Sequence, residues 1–307
     1  MEKTLCFQVT VMLHKKEFRV ALSVMTGFSV LAFVYSGLQQ CGADRTMVVS
    51  ADALFCGNYY SPLWHYFSYI FAIVIALPYS MSYISDRECR VLAPLLSRMS
   101  RLRYHLSAMI ASFIGNFIII LFPFLLNLAL CHIAFPTNTH FLFGEEGTSN
   151  YVGALMGNTL IFSTEYPRIP FLKLFLFNPT LYNIFYALLL SVLSGILGVF
   201  LLSLSFILPG SRPLLFFPVL FGFQFSTLAT SHSYNCAIEN TDIFFTNYTI
   251  MDYFAVGGFP GQSFLYLFTI ILCLLSFFII ALLIVLIRDE FVGGRIHHDK
   301  DRKKAIC

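Results

Sequence analysis

Arg87, Arg90, Arg98, Arg101 and Arg103 crowd into the segment DRECRVLAPLLSRMSRLRY, residues 86–104, opposed only by Asp86 and Glu88. Guanidinium groups are costly to carry across a bilayer and are drawn to an anionic membrane face, so this segment is expected to stay on the cytoplasmic side. Leu92, Leu95, Leu96, Met99 and Leu102 recur at three- and four-residue spacing. That spacing predicts a short amphipathic helix at the membrane surface, with an apolar side free to dock. What such a helix offers is electrostatic and mechanical: a soluble partner can grip it and push.

Other reactive side chains suggest less. The chain has eight histidines and eight cysteines, but they are scattered, and His297-His298 lies in a charged tail. No C-x-x-C or H-x-x-x-H occurs, which argues against structural zinc. Cys41 and Cys56 share one loop, so a disulfide between them is open in an oxidising compartment, although sequence separation does not decide whether they meet. Glu145-Glu146 reads as a solvated pair, and no nucleophile stands beside a base. Neither G-x-x-x-x-G-K-[ST] nor a strand followed by G-x-G-x-x-G is present, so an enzyme is not expected, nor a cofactor held by this chain. Nucleic acid is not an expected partner. Asn247-Tyr248-Thr249 is a glycosylation sequon, meaningful only in a eukaryotic secretory route.

The elements that must position the arginine-rich segment are apolar. Of 307 residues, 58% are hydrophobic and 11% charged, with 35 phenylalanines; a soluble domain carries about a quarter charged residues. Apolar runs long enough to span a bilayer recur, and the ten-residue alternation of a transmembrane barrel is missing. The expected fold is an all-α polytopic membrane protein, one transmembrane domain over residues 1–307. Six spans are expected near 18–38, 63–84, 106–135, 181–208, 214–231 and 263–287. Met1–Arg19 is expected to be an amphipathic helix on the inner surface. Residues 39–61, 136–180 and 232–262 read as outer loops, and Pro209-Gly210-Ser211-Arg212-Pro213 as a tight reversal. With both termini in the cytoplasm, sixteen basic residues lie inside and three outside. No cleavable signal peptide is expected.

By this placement no charged residue reaches the apolar cores. Ion-coupled carriers need an ionisable group at depth, so the energy source is expected in another polypeptide, although backbone carbonyls at broken helices also bind sodium. Neutral polar residues do fall within the spans. Ser112, Asn116 and Asn127 share a face of the third, beside Pro123; Gln224, Thr227 and Ser231 share one on the fifth; Thr269, Cys273 and Ser276 share one on the sixth. Pathway lining and helix–helix hydrogen bonding both fit them. Ser191, Ser194, Gly195 and Gly198 on the fourth span allow close approach of another helix, by default within the same bundle.

Three short stretches carry a family likeness. Asp86, Arg87, Glu88, Leu95, Leu96, Ser97, Arg98, Ser100, Arg101 and Tyr104 resemble the first cytoplasmic loop of ATP-binding-cassette exporter permeases of the second exporter type, the fold shared with the G-subfamily transporters. Arg90 and Met99 depart from it, standing where glycine and proline are usual, as does Ser107-Ala108, where Gly-Lys often follows. His14-Lys15-Lys16-Glu17-Phe18-Arg19 resembles the stretch that follows the family's amphipathic connecting helix. Asn178-Pro179-Thr180-Leu181-Tyr182 is similar to a motif before the fourth span of some bacterial members.

The resemblance implies a permease that dimerises with a second copy or a paralogue and engages a cytoplasmic ATPase, where ATP and magnesium would bind. Asp86, Arg87, Glu88, Leu95, Leu96, Arg98, Ser100 and Arg101 would form the coupling helix between spans two and three. Gln224 and Thr227 would line the pathway, with Ser231, Asn116 and Asn127 as further lining candidates, and 248–262 would dip back as an outer gate. The expected activity is ATP-driven export of a hydrophobic or amphipathic cargo such as a peptide, lipid or drug-like molecule. The expected location is multi-pass in a cell membrane, the bacterial cytoplasmic membrane above all. A non-transporting sensor, immunity or scaffold subunit of the same fold stays open beside it, and a secondary carrier stands third.

Overall fold

The computed structural model describes residues 2–42, 49–58, 61–78, 101–137, 171–207, 217–239 and 249–256, with isolated positions between 269 and 283. The expected coupling residues Asp86, Arg87, Glu88, Leu95, Leu96, Arg98 and Ser100 lie outside the described residues, as do Glu145, Glu146, the turn 209–213, the loop 257–262 and the tail 288–307. Among the described residues the chain is helical, and no strand forms.

The helices are α1 (Glu2–His14), α2 (Lys16–Gln39), α3 (Pro62–Ala76), α4 (Arg101–Ala134), α5 (Leu172–Phe177), α6 (Pro179–Ile207) and α7 (Phe217–Glu239), followed by a 3₁₀ turn, Ile250–Phe254. Lys16–Gln39, Leu102–Ala134 and Pro179–Ser205 are long and apolar enough to cross a membrane. These three candidate spans mark the chain as a membrane protein. Isolated positions from 269 to 283 are helical, and Phe277 packs on Phe200 of α6 at 4.9 Å between ring centroids.

Several boundaries differ from the sequence reading. The N-terminal helix ends at His14 and not near Arg19, and the helix of the first span starts at Lys16. Lys15 is extended, and the Arg19 guanidinium donates to His14 O at 3.4 Å, where a cation meets the negative end of α1. The third helix is already formed at Arg101 and does not wait for 106, because nothing in Arg-Leu-Arg-Tyr-His interrupts a helix; charge moves the edge of an apolar run without breaking the helix. For the same reason α7 passes Ser231 and runs to Glu239. Pro179 takes the first helical position of α6, and the Asn178 side chain accepts Leu181 N–H at 3.1 Å, an N-cap that starts the helix two residues before the apolar run.

Lipid tails are as apolar as leucine, so helices in a bilayer are held by close packing and hydrogen bonds. Phe67 is the centre of that packing. Its ring meets Phe28 of α2 at 5.6 Å, Trp64 and Phe71 of its own helix at 5.2 Å each, and Phe124 of α4 at 5.2 Å. The small residues on α6 serve its contact with α4. A Cβ on Gly195 would lie 2.6 Å from the Phe113 ring, and one on Gly198 would overlap the Asn116 amide. Ser194 Oγ adds a hydrogen bond to Asn116 O at 3.1 Å.

α2 and α4 run in the same direction. Ser29 Oγ donates to Pro123 O at 2.7 Å, and further along Phe33 meets Phe135 at 6.1 Å between centroids. With Ser29 level with 123–127, the Arg101 end of α4 projects about 16 Å beyond Lys16, at 1.5 Å per residue. α1 packs alongside this half of α4 with Met12 fully buried over Gly115.

Candidate functional site

The chemistry-bearing residues that the fold brings together lie at the Ala134 end of the bundle, in a segment that reads from sequence as a polar surface loop. Residues 49–58 instead tuck between the helices. Ala51, Asp52, Phe55, Cys56 and Asn58 are all buried. Ala51 N–H donates to Pro136 O at 3.0 Å, and Cys56 N–H donates to Asn127 Oδ1 at 2.9 Å. Asn127 stands seven residues before Ala134, so this strap reaches about 10 Å down α4. Non-helical backbone is tolerated at such depth only where protein groups satisfy it. Asn127 does so for Cys56 N–H, and its Nδ2 donates to Ser29 O of α2 at 2.9 Å, tying the strap's anchor to a second helix.

Asp52 is the strap's deepest charge, with 5% of its surface exposed. Its Oδ1 lies 3.3 Å from His132 Nε2 of α4 and 3.1 Å from Asn183 Nδ2 of α6, while Thr180 Oγ1 donates to Oδ2 at 3.1 Å. Asn183 Nδ2 also donates to the Asp52 carbonyl at 3.0 Å. Thr180 and Asn183 belong to the first turn of α6, whose exposed N–H groups carry the positive end of the helix dipole. Thr180 Oγ1 and Asn183 Nδ2 donate to the buried carboxyl, and His132 Nε2 lies within reach, in place of the water it gave up.

The arrangement does not form a hydrolytic triad. Thr180 Oγ1 approaches the same His132 nitrogen as Asp52, at 3.4 Å, whereas a nucleophile–base–orienter chain uses the two ring nitrogens separately. Among the described residues no group of three or more His, Cys, Asp or Glu is placed to hold a metal. The cluster's chemistry is that of a joint, tying a strap to two helices through one buried carboxylate.

Cys56 and Cys131 flank this joint, both buried and both free thiols. Cys131 Sγ lies 3.8 Å from Leu54 O and 3.9 Å from Asn127 Oδ1, beneath the strap backbone. Burial pushes the Cys56 thiol well above its ordinary range, and the neighbouring Cys131 adds to the shift. Cys41, the other thiol of the same loop, is exposed at the end of α2 and also free, so the Cys41–Cys56 bond open from sequence is not formed.

The strap is joined to a second one. Val256 N–H donates to Gly57 O at 2.9 Å, and Asn58 and Val256 form a parallel bridge. Met251, Asp252, Tyr253 and Phe254 of the 3₁₀ turn are buried, and Thr249 shares a 2.9 Å hydroxyl contact with Thr230 of α7.

The lining candidates are dispersed. Asn116 is buried between α4 and α6, its Nδ2 donating to Ser112 O at 3.0 Å, and Asn127 is engaged by the strap. On α7, Thr227 and Ser231 are exposed and bonded to their own helix, to Phe223 O at 3.0 Å and Thr227 O at 3.1 Å; Gln224 is half-buried. Arg101 is the first residue of α4. Sequence reasoning passed over Asp52, His132 and Asn183. The usable signal was Asn178-Pro179-Thr180, a helix start that leaves a ready anion seat.

No family model matches this chain, and no curated protein or solved structure matches it either.

Proposed function

We propose that this chain is the membrane-spanning permease subunit of an ATP-driven exporter of the ATP-binding-cassette class, moving a hydrophobic or amphipathic cargo outward by alternating access. Six spans, both ends in the cytoplasm, pairing with a second permease chain and a separate ATPase all belong to this reading. The observation that carries it is α4. This helix reaches from Arg101 and Arg103, inside the arginine-rich segment, past Pro123 to the joint at Asp52, so a push on those two arginines is passed along one continuous helix. The docking of α1 along the Arg101 half of α4 supports the same reading, because it braces the helix where force would enter.

The test is copurification with an ATPase encoded beside this chain, followed by hydrolysis in reconstituted vesicles. The ATPase is expected to copurify and to hydrolyse ATP faster with the permease present. The double variant Glu88→Ala/Arg101→Ala is expected to lose both effects while retaining its helical circular dichroism. Unchanged copurification and stimulation in that variant would remove the coupling role.

One observation favours a second reading. Asp52 and His132 give the packed interior an ionisable pair, the feature that a proton- or sodium-coupled carrier needs. Cargo movement in ATPase-free vesicles under an ion gradient is the outcome that selects the carrier.

A further inference from the structure

We propose that residues 49–58 form a detachable clasp across the Ala134 end of the bundle, released as one unit and keyed by Asp52. The inference stands on the geometry of the strap and does not depend on the permease reading.

Three features make the clasp releasable. Its polar ties to the helices are separate bonds: Asp52 on His132, Thr180 and Asn183, Cys56 N–H on Asn127, Ala51 N–H on Pro136 O, and Val49 N–H on the Gln40 side chain. No continuous ladder joins it to them, and the Asn58–Val256 bridge ties it only to the second strap. Second, docking leaves polar groups unmatched. Ser50 Oγ and Asn183 Oδ1 are buried with no hydrogen-bond partner among the described residues. Release would return both to water together with the Asp52 carboxylate, which offsets much of what the strap gains by burying Ala51, Phe55 and Cys56. Third, the strap is inserted between the helices from their Ala134 end and does not supply the contact that holds α4 to α6. α4 and α6 keep their own contact through Gly195, Gly198 and Ser194, away from the strap, so the bundle survives its departure.

Release would carry consequences to a second segment. The Gly57–Val256 hydrogen bond ties 249–256 to the strap, so both move from the same end of the bundle. It would also uncover two thiols at once, because Cys56 rides on the strap and Cys131 lies beneath it.

The experiment uses the full-length chain in detergent and reads alkylation by N-ethylmaleimide peptide by peptide, with the exposed Cys41 as internal standard. Relative to Cys41, Cys56 and Cys131 are expected to react slowly. In both Asp52→Asn and Thr180→Val they should accelerate together, by about ten-fold or more, with Cys41 unchanged. A Cys56 rate that is the same in wild type and both variants overturns the proposal. So does acceleration of Cys56 with Cys131 still protected. Hydrogen exchange on the unaltered chain keeps the test independent of variant folding. The amides of Ala51, Cys56 and Val256 should open together and earlier than the centre of α4. Opening only in step with α4 overturns the clasp.

Discussion

The side-chain amide of Asn116 rests directly on the Cα of Gly198, with no room for even a methyl group between them. Asn116 cannot step aside, because its Nδ2 is bonded to Ser112 O at 3.0 Å and its backbone carbonyl accepts Ser194 Oγ at 3.1 Å. Gly198→Ala is therefore expected to destabilise the bundle by about 1–3 kcal/mol, in spite of alanine's better helix propensity. Thermal unfolding in detergent measures it, and Asn116→Ala in the same background should return part of the loss.

Gly115 makes the opposite prediction. A methyl group there meets the Met12 thioether, the flexible far end of a long side chain. Gly115→Ala should stay within about 1 kcal/mol of wild type, whereas Gly115→Phe should lift α1 off α4. Limited proteolysis after Lys15 and Lys16 reads the detachment.

Asn127→Leu should be among the most damaging single changes, at about 2–4 kcal/mol. It strands Cys56 N–H in a dry interior and removes the second hydrogen bond to Ser29 O, while preserving side-chain size. Asn127→Asp keeps the acceptor for Cys56 N–H and removes the donor to Ser29 O. It is expected to fall near Asn127→Leu in unfolding measurements because it buries a charge.

The Cys56 thiol gives a pH dependence whose sign is fixed. Burial raises its folded-state pKa above the unfolded value, so the folded chain keeps the proton that the unfolded chain gives up. This contribution is complete below the ordinary thiol range, about pH 8.5, and is lost as pH climbs above it. Unfolding midpoints taken through the alkaline range should fall less steeply in Cys56→Ala than in wild type.

The sequence makes parts of this fold plain. The apolar runs locate α2, α4 and α6 within a few residues, because a bilayer demands continuous apolar length and little else satisfies it. The small residues Ser194, Gly195 and Gly198 announce a close helix contact, and they make one with α4. The strap was not legible. Ser50, Asp52 and Asn58 have the composition of a solvated loop, and their burial depends on partners at Asn127, His132, Thr180 and Asn183, far along the chain. Hydropathy also hid the start of α4, since Arg101 and Arg103 end an apolar window without ending a helix. The lining candidates rest on shared helical faces and, for Gln224 and Thr227, on the family resemblance. A face says which residues are neighbours on one helix, but not whether a second helix covers them, as α6 covers Asn116.

The 34 residues of α4 make a rod of about 51 Å, longer than the roughly 30 Å hydrocarbon core it has to cross. Its tightest contact, Asn116 on Gly198, falls near mid-length, about 22 Å from Arg101 and 27 Å from Ala134. Were α4 to tilt by about 5° about that point, Arg101 would swing by roughly 2 Å one way and the His132 end by a similar distance the other, less whatever Pro123, inside the helix between the two, takes up by bending. Two ångströms is more than the Asp52–His132 contact can stretch and remain a hydrogen bond.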